Sequence, residues 1–284
     1  MQNHARQCAV ASALCVLLLG GCLSLDLPED AFFYPDARVA AEKIDLPTDA
    51  PMVFPAEVVR LRYAGGDIGT TRIRTGRRDA PLILYCGGNL FRRSSGAGTV
   101  ANELAPFGDV LMFDYPGYGD TAGQADYANF LAAGVAVADA ARAQAEAEGR
   151  KLIAWGHSLG GPVCAQAAAY MKADALVLET TTPSTRAAVD TMVGWARPFV
   201  RVNIAPNLDA IDVPAALKTY SGKVVVLEAG RDKTLPPALS RRLARELRTE
   251  GLRVEHLLFP QADHGDVPQQ ADFKPRMAAA LDGL

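Results

Sequence analysis

Cysteine and histidine are scarce in this chain of 284 residues, which holds five of the first and four of the second. No CxxC pair and no Cys/His cluster with zinc spacing occurs, so neither a structural metal nor any other cofactor is expected. A basic stripe is absent as well. Lys and Arg total 29 against 32 Asp and Glu, the signs are interspersed, and the formal net charge is −3. Such a surface does not neutralise a row of phosphates, and nucleic acid drops out as an expected partner. The one basic cluster, Arg241-Arg242-Leu243-Ala244-Arg245, reads as a solvated helix face. No internal repeat or low-complexity tract is present. The apolar run at 8–20 falls short of the ~20 residues that span a bilayer. What remains is an ordinary globular composition, 49% hydrophobic and 21% charged, sufficient for a large core without disulfides or metal.

The N-terminus has its own grammar. Residues 1–7 include Arg6 and no acid, the apolar run follows, and small residues close it. This is the layout of a secretory signal, here 1–21. Its end, Leu19-Gly20-Gly21-Cys22, resembles a bacterial lipobox. That resemblance implies a diacylglyceryl group on Cys22, cleavage before it and acylation of the new amine. A single acyl chain binds a membrane only marginally, so stable anchoring needs more than one. The expected setting is the bacterial cell envelope, with the chain held to a membrane through its N-terminal lipid. Leu23, rather than Asp, follows the cysteine and matches the outer-membrane sorting pattern of a Gram-negative host. Cys8 and Cys15 leave with the signal, while Cys86 and Cys164 stay in the folded body. They are open to two readings, a disulfide in an oxidising compartment or buried free thiols.

Residues 22–55, rich in proline and acid, read as a lipidated tether and a strap partly docked through Phe32, Phe33 and Tyr34. From residue 56 to 284 the pattern becomes regular. Stretches 57–63 and 69–75 alternate apolar and polar residues, as half-exposed strands do. Continuous apolar runs at 81–85, 110–113, 152–155, 175–178 and 224–227 suit strands buried on both faces. Ala-rich helical stretches at 125–148, 160–172 and 236–249 lie between them, and a last strand is expected at 253–259 before a closing helix. The expected fold class is α/β, a mostly parallel sheet of about eight strands with helices on both faces. Residues 183–222 interrupt the alternation and read as a small helical cap over the site.

One segment carries chemistry. In 152–161 a buried strand runs into Gly156-His157-Ser158-Leu159-Gly160-Gly161 and then into a helix. A G-x-S-x-G at a strand-to-helix turn presents its serine at the strand's C-terminal end, with glycines where a Cβ would clash. The free N–H groups of the following helix favour a developing oxyanion. Ser158 is therefore the candidate nucleophile, and it needs a base. His4 leaves with the signal, His157 should diverge from the serine, and His256 lies inside a strand as a structural residue. His264, in the loop after the last strand, is the candidate base. Asp232, in the loop after 224–227, is the candidate acid, with Glu179 its competitor. The order Ser158, Asp232, His264 is the order this fold class uses. The oxyanion hole should combine the N–H of Leu159 with that of Gly88 or Asn89 in the loop Tyr85-Cys86-Gly87-Gly88-Asn89.

These segments resemble the α/β-hydrolase superfamily, in particular its membrane-associated α/β-hydrolase domain serine hydrolases. Phe113-Asp114-Tyr115-Pro116-Gly117-Tyr118-Gly119 is similar to that branch's D-Y-x-G-Y-G turn, and the elbow, acid loop and histidine loop follow in order. The third-strand loop departs from the branch's His-Gly-Asn in lacking the histidine. The resemblance implies the α/β-hydrolase fold and cleavage of an ester or thioester, on a small-molecule or lipid acyl substrate, through an acyl-enzyme. The alternatives are an amidase or peptidase on the same triad, or a non-catalytic ligand-binding lipoprotein. Metabolic labelling with an alkynyl fatty acid tests the anchor: the wild-type chain should take up label and Cys22→Ser should not, whereas equal labelling removes the lipoprotein reading.

Overall fold

The computed structural model describes residues 23–284. The signal expected at 1–21 and the lipidation candidate Cys22 lie outside the described residues. The chain begins with β1 (Leu23–Leu27) and the short helices Glu29–Phe32 and Asp36–Glu42. An antiparallel hairpin follows, β2 (Ala56–Tyr63) and β3 (Gly66–Ile73). Next come β4 (Leu82–Cys86), β5 (Asp109–Phe113), β6 (Leu152–His157), β7 (Ala175–Glu179), β8 (Val200–Ile204), β9 (Lys223–Ala229) and β10 (Val254–Phe259). All but β1 and β8 form one sheet of eight strands in the order β10-β9-β7-β6-β4-β5-β3-β2. Strand β3 runs antiparallel to both its neighbours, and the pairs from β5 to β10 are parallel.

The continuous apolar runs are explained by burial on both sides. Strand β4 reads Leu-Ile-Leu-Tyr-Cys and every residue is buried. Side chains alternate across a strand, so Leu82 and Leu84 join the core under helices Tyr127–Glu148 and Gly160–Met171. Ile83 and Tyr85 point to the opposite core, under helices Arg93–Leu104 and Phe273–Ala280. Helix Tyr127–Glu148 starts where the Asp126 side chain accepts from the Asn129 N–H and stops at Gly149 in left-handed conformation. The helix Arg93–Leu104 has a weaker sequence signal, with two glycines and two serines in its first half.

Residues 23–55 are held along their length rather than at the aromatic cluster alone. Phe33 is fully buried against Phe130, ring centroids 4.6 Å apart. The Tyr34 N–H bonds to Tyr118 Oη at 2.8 Å and to Asn89 Oδ1 at 3.1 Å. Arg92, itself buried, binds Asp36 at 2.6 Å and lies over the Tyr118 ring. Asp49 accepts from the N–H groups of Gly98 and Thr99. Strand β1 pairs in parallel with β8, which belongs to the 183–222 segment. That segment is helical in the main, with Thr185–Val193, a 3-10 turn at Gly194–Ala196 and the short helices Pro206–Asp209 and Val213–Ala216. The strand within it was not expected from sequence. Its apolar and polar residues alternate, but the parallel partner lies far away in the chain.

Cys86 and Cys164 are joined in a disulfide, which decides between the two readings of these thiols. It ties the end of β4 to the helix after the elbow across 78 positions of sequence. A loop that long gives about 4 kcal/mol in the chain-entropy picture. Replacing both cysteines by alanine is expected to lower unfolding stability by ~2–4 kcal/mol, read from the urea midpoint at constant slope.

Candidate active site

Strands β6, β9 and β10 end at the same edge of the sheet, and each sends one loop to a common point. This is the carboxyl edge, where ligands bind in open α/β sheets. Ser158 leaves β6 with φ of 53°, a left-handed backbone that a residue with a Cβ rarely adopts. The turn is held from both sides. Its N–H donates to the Glu179 carbonyl at 2.9 Å, and its own carbonyl accepts from Thr181 Oγ1 at 2.7 Å. Gly160 is required here, because a Cβ on it would lie 2.0 Å from the Cys86 carbonyl oxygen.

Ser158, Asp232 and His264 are brought into contact. His264 Nε2 is 2.9 Å from Ser158 Oγ, and its Nδ1 is 2.7 Å from Asp232 Oδ2. The carboxylate accepts, so Nδ1 carries the proton and Nε2 is free to accept from the serine hydroxyl. Asp232 is buried, and its Oδ1 accepts from the N–H groups of Thr234 and Leu235 at 2.9 and 2.8 Å. These bonds fix the carboxylate before the imidazole meets it.

Glu179, the competing acid, is spoken for elsewhere. Its Oε2 accepts from Trp155 Nε1 at 2.7 Å, and burial pushes its pKa up to about 8. A carboxyl that stays protonated at neutral pH supplies no counter-charge to an imidazolium. Its neighbour Glu103 is raised to about 7, again by burial first. His256 is remote from the triad, its Nε2 2.8 Å from Glu228 Oε2, though not aligned for a hydrogen bond. His157 has a task the sequence did not disclose. Its Nε2 lies 3.0 Å from the His264 carbonyl, to which it donates, and Thr180 Oγ1 donates to the same oxygen at 3.1 Å. Burial, with His264 nearby, lowers the His157 pKa to about 4 and keeps the ring neutral. The backbone of the base is thereby pinned from two directions.

The expected oxyanion residues line the space beside Ser158. The N–H groups of Leu159, Gly88 and Asn89 have no hydrogen-bond partner among the described residues. A Cβ on Gly88 would come 3.5 Å from the Ser158 Cβ, which shows how near that loop passes. The Asn89 side chain is committed to the strap: Oδ1 accepts from Tyr34 and Tyr118, and Nδ2 donates to the Phe32 carbonyl. Only its backbone is left for a ligand. Next to these groups opens a cavity of about 820 Å³, walled by Tyr85, Phe91, Met192 and Ile211, and by Leu27 and Phe32 of the strap. The two strap residues carry no local sequence mark of a pocket. Among the described residues no group of three or more His, Cys, Asp or Glu is placed to hold a metal ion.

Residues 83–278 match the model of the alpha/beta hydrolase family. Uncharacterised proteins from two strains of Mycobacterium tuberculosis are 29% identical over 200 residues, which cover 70% of this chain and 68% of each relative. Among solved structures, an esterase of Pyrococcus furiosus superposes with a TM-score of 0.62 at 15% identity, covering 83% of this chain and 97% of its own. An ester hydrolase from the Lake Arreo metagenome, in complex with a bipyridine phosphonate derivative, gives 0.62 at 18% identity, with 86% and 87% covered.

The two acids are separable by experiment. Asp232→Asn is expected to cost ~10⁴-fold in kcat, because the wrong imidazole tautomer is then favoured. Glu179→Gln should leave that step in place and change stability instead. The Glu179 carboxyl ionises near its usual 4.5 when unfolded and at about 8 when folded, so stability drains away as pH rises between the two. Thermal melts across that range should fall less steeply in Glu179→Gln than in wild type.

Proposed function

The chain belongs to the alpha/beta hydrolase family, and from that premise we propose that it is a serine hydrolase cleaving a carboxylic ester or thioester through an acyl-enzyme. The family and its esterase neighbours support hydrolase chemistry in general. The finer reading is carried by one observation, the unbroken hydrogen-bond path from Ser158 Oγ through His264 to Asp232 at the mouth of an apolar cavity.

His264 Nε2 takes the Ser158 proton while Oγ attacks the acyl carbonyl. Asp232 stabilises the imidazolium so formed, and the N–H groups of Leu159 and the Gly88–Asn89 loop receive the tetrahedral oxyanion. His264 then protonates the departing alcohol or thiol, leaving the acyl group on Ser158. Water, activated by the same imidazole, releases the acid and restores the serine. The apolar wall favours acyl substrates, whose hydrocarbon part gains from leaving water. We propose further that Cys22 is lipidated and holds the enzyme at the envelope membrane, as the Leu19–Cys22 pattern suggests.

A fluorophosphonate probe should label the folded protein, and Ser158→Ala should lose the label. Absence of labelling in the wild-type protein favours the ligand-binding lipoprotein instead. A panel of short and long acyl esters, thioesters and aminoacyl amides identifies the leaving group. With amides the better substrates, the ester reading falls. Loss of Ser158 or His264 should lower kcat by ~10⁴-fold or more.

A further inference from the structure

Ten large hydrophobic side chains remain exposed among the described residues, and five of them belong to one side of the molecule: Leu23, Leu25, Met192, Trp195 and Phe199. Trp195 is 87% exposed, an unusual position for the largest apolar side chain. The five are joined by backbone. The Leu23 N–H donates to the Phe199 carbonyl at 2.8 Å, and β1 and β8 pair with Leu23 opposite Val200. The Phe199 N–H closes back on Ala196, next to Trp195 in the 3-10 turn. Met192 stands one turn before Trp195 and lines the catalytic cavity.

We propose that this face docks on the surface of a phospholipid bilayer and turns the cavity mouth towards it, so that the substrates are acyl groups resident in that membrane. Three features select a bilayer over a second copy of the chain. The first is position: Leu23 directly follows Cys22, so an anchored cysteine leaves the face within one residue, a reach of ~3.5 Å. The second is chemistry. Trp and Phe beside arginines make the mixture that partitions to a headgroup boundary, and an anionic surface attracts the cations. Arg197 shares Asp190 at 3.2 Å and remains mostly exposed, while Arg201 has no ion-pair partner among the described residues. The third is continuity. Leu23, Leu25 and Leu27 alternate along β1 and so share one face, and Leu27 lines the cavity that holds Ser158. A leucine row thus runs from the anchor point to the nucleophile's pocket, and an acyl chain moving along it stays off water.

The docking site rests on the reading of Cys22 for its position and on the serine hydrolase reading for its substrate. Its test uses neither label. The chain has two tryptophans, and Trp155 is fully buried, so Trp195 reports the face. The matured protein is reconstituted into phosphatidylethanolamine–phosphatidylglycerol vesicles, half of them with brominated acyl chains. Trp195 emission should move to shorter wavelength, be quenched by the brominated lipid and be shielded from iodide, and Trp195→Phe should remove the quenchable part. Iodide quenching without lipid quenching overturns the proposal. Shielding from iodide without lipid quenching also overturns it, pointing to a second protein copy on the face. Quenching that survives in Trp195→Phe would come from Trp155 and overturns it too, since the folded face was then not what docked. Fatty-acid labelling of Cys22 and fluorophosphonate labelling of Ser158 in the same preparation read the anchor and the nucleophile separately.

Discussion

The left-handed turn at Ser158 sets the terms for everything around it. A residue with a Cβ in that conformation costs roughly 1–2 kcal/mol, and the cost has to be met by neighbours. Here the Glu179 carbonyl and the Thr181 hydroxyl bind the serine's two backbone groups, one on each side. The helix that follows packs its first glycine against the Cys86 carbonyl, and the Cys86–Cys164 bond joins the same two segments. Strand β4, whose loop approaches the serine, is therefore locked to the helix that begins after it. The loop after β4 is held by the device that supports the strained turn and by separate contacts of Asn89 with Tyr34, Tyr118 and Phe32.

Charge around the serine is kept sparse. Besides His264, the acids and histidines placed around the hydroxyl and its cavity are Asp232, His157, Glu179 and Glu103. Burial holds His157 neutral and pushes both glutamates towards their protonated forms. Asp232 accepts from two backbone N–H groups and from the imidazole. The imidazole thus faces one carboxylate whose geometry is fixed by backbone. A second carboxylate there would compete for it and pull the ring out of line with the serine.

The sheet and the three contacting residues were legible in the sequence because their signals are local. Continuous apolar runs mark doubly covered strands, and a serine between two glycines at the end of such a run marks a turn with one conformation available. Asp232 and His264 stood out as residues at ends of strands, and chain order reduced the choice. The pairing of β1 with β8 was not legible, since a short parallel pair leaves only a weak alternation in each partner. The same is true of His157 and Thr180 converging on the His264 carbonyl, a contact that depends on three separate segments. The helix Arg93–Leu104 was obscured by Gly96, Gly98 and two serines, which lower helix propensity where packing later compensates. The disulfide had no signature beyond two cysteines. Its geometry follows only once β4 and the post-elbow helix lie side by side.

Asp26 and Asn203 lie 177 positions apart and yet share one two-stranded ribbon, which can close only once both strands have been made. The earlier strand waits for a partner made long afterwards. The N-terminal segment also supplies Leu27 and Phe32 to the chamber wall, so the chamber has its full outline only when that segment is docked. With its main sheet complete but that ribbon unpaired, the chain would hold Ser158 in a vessel still open on one side.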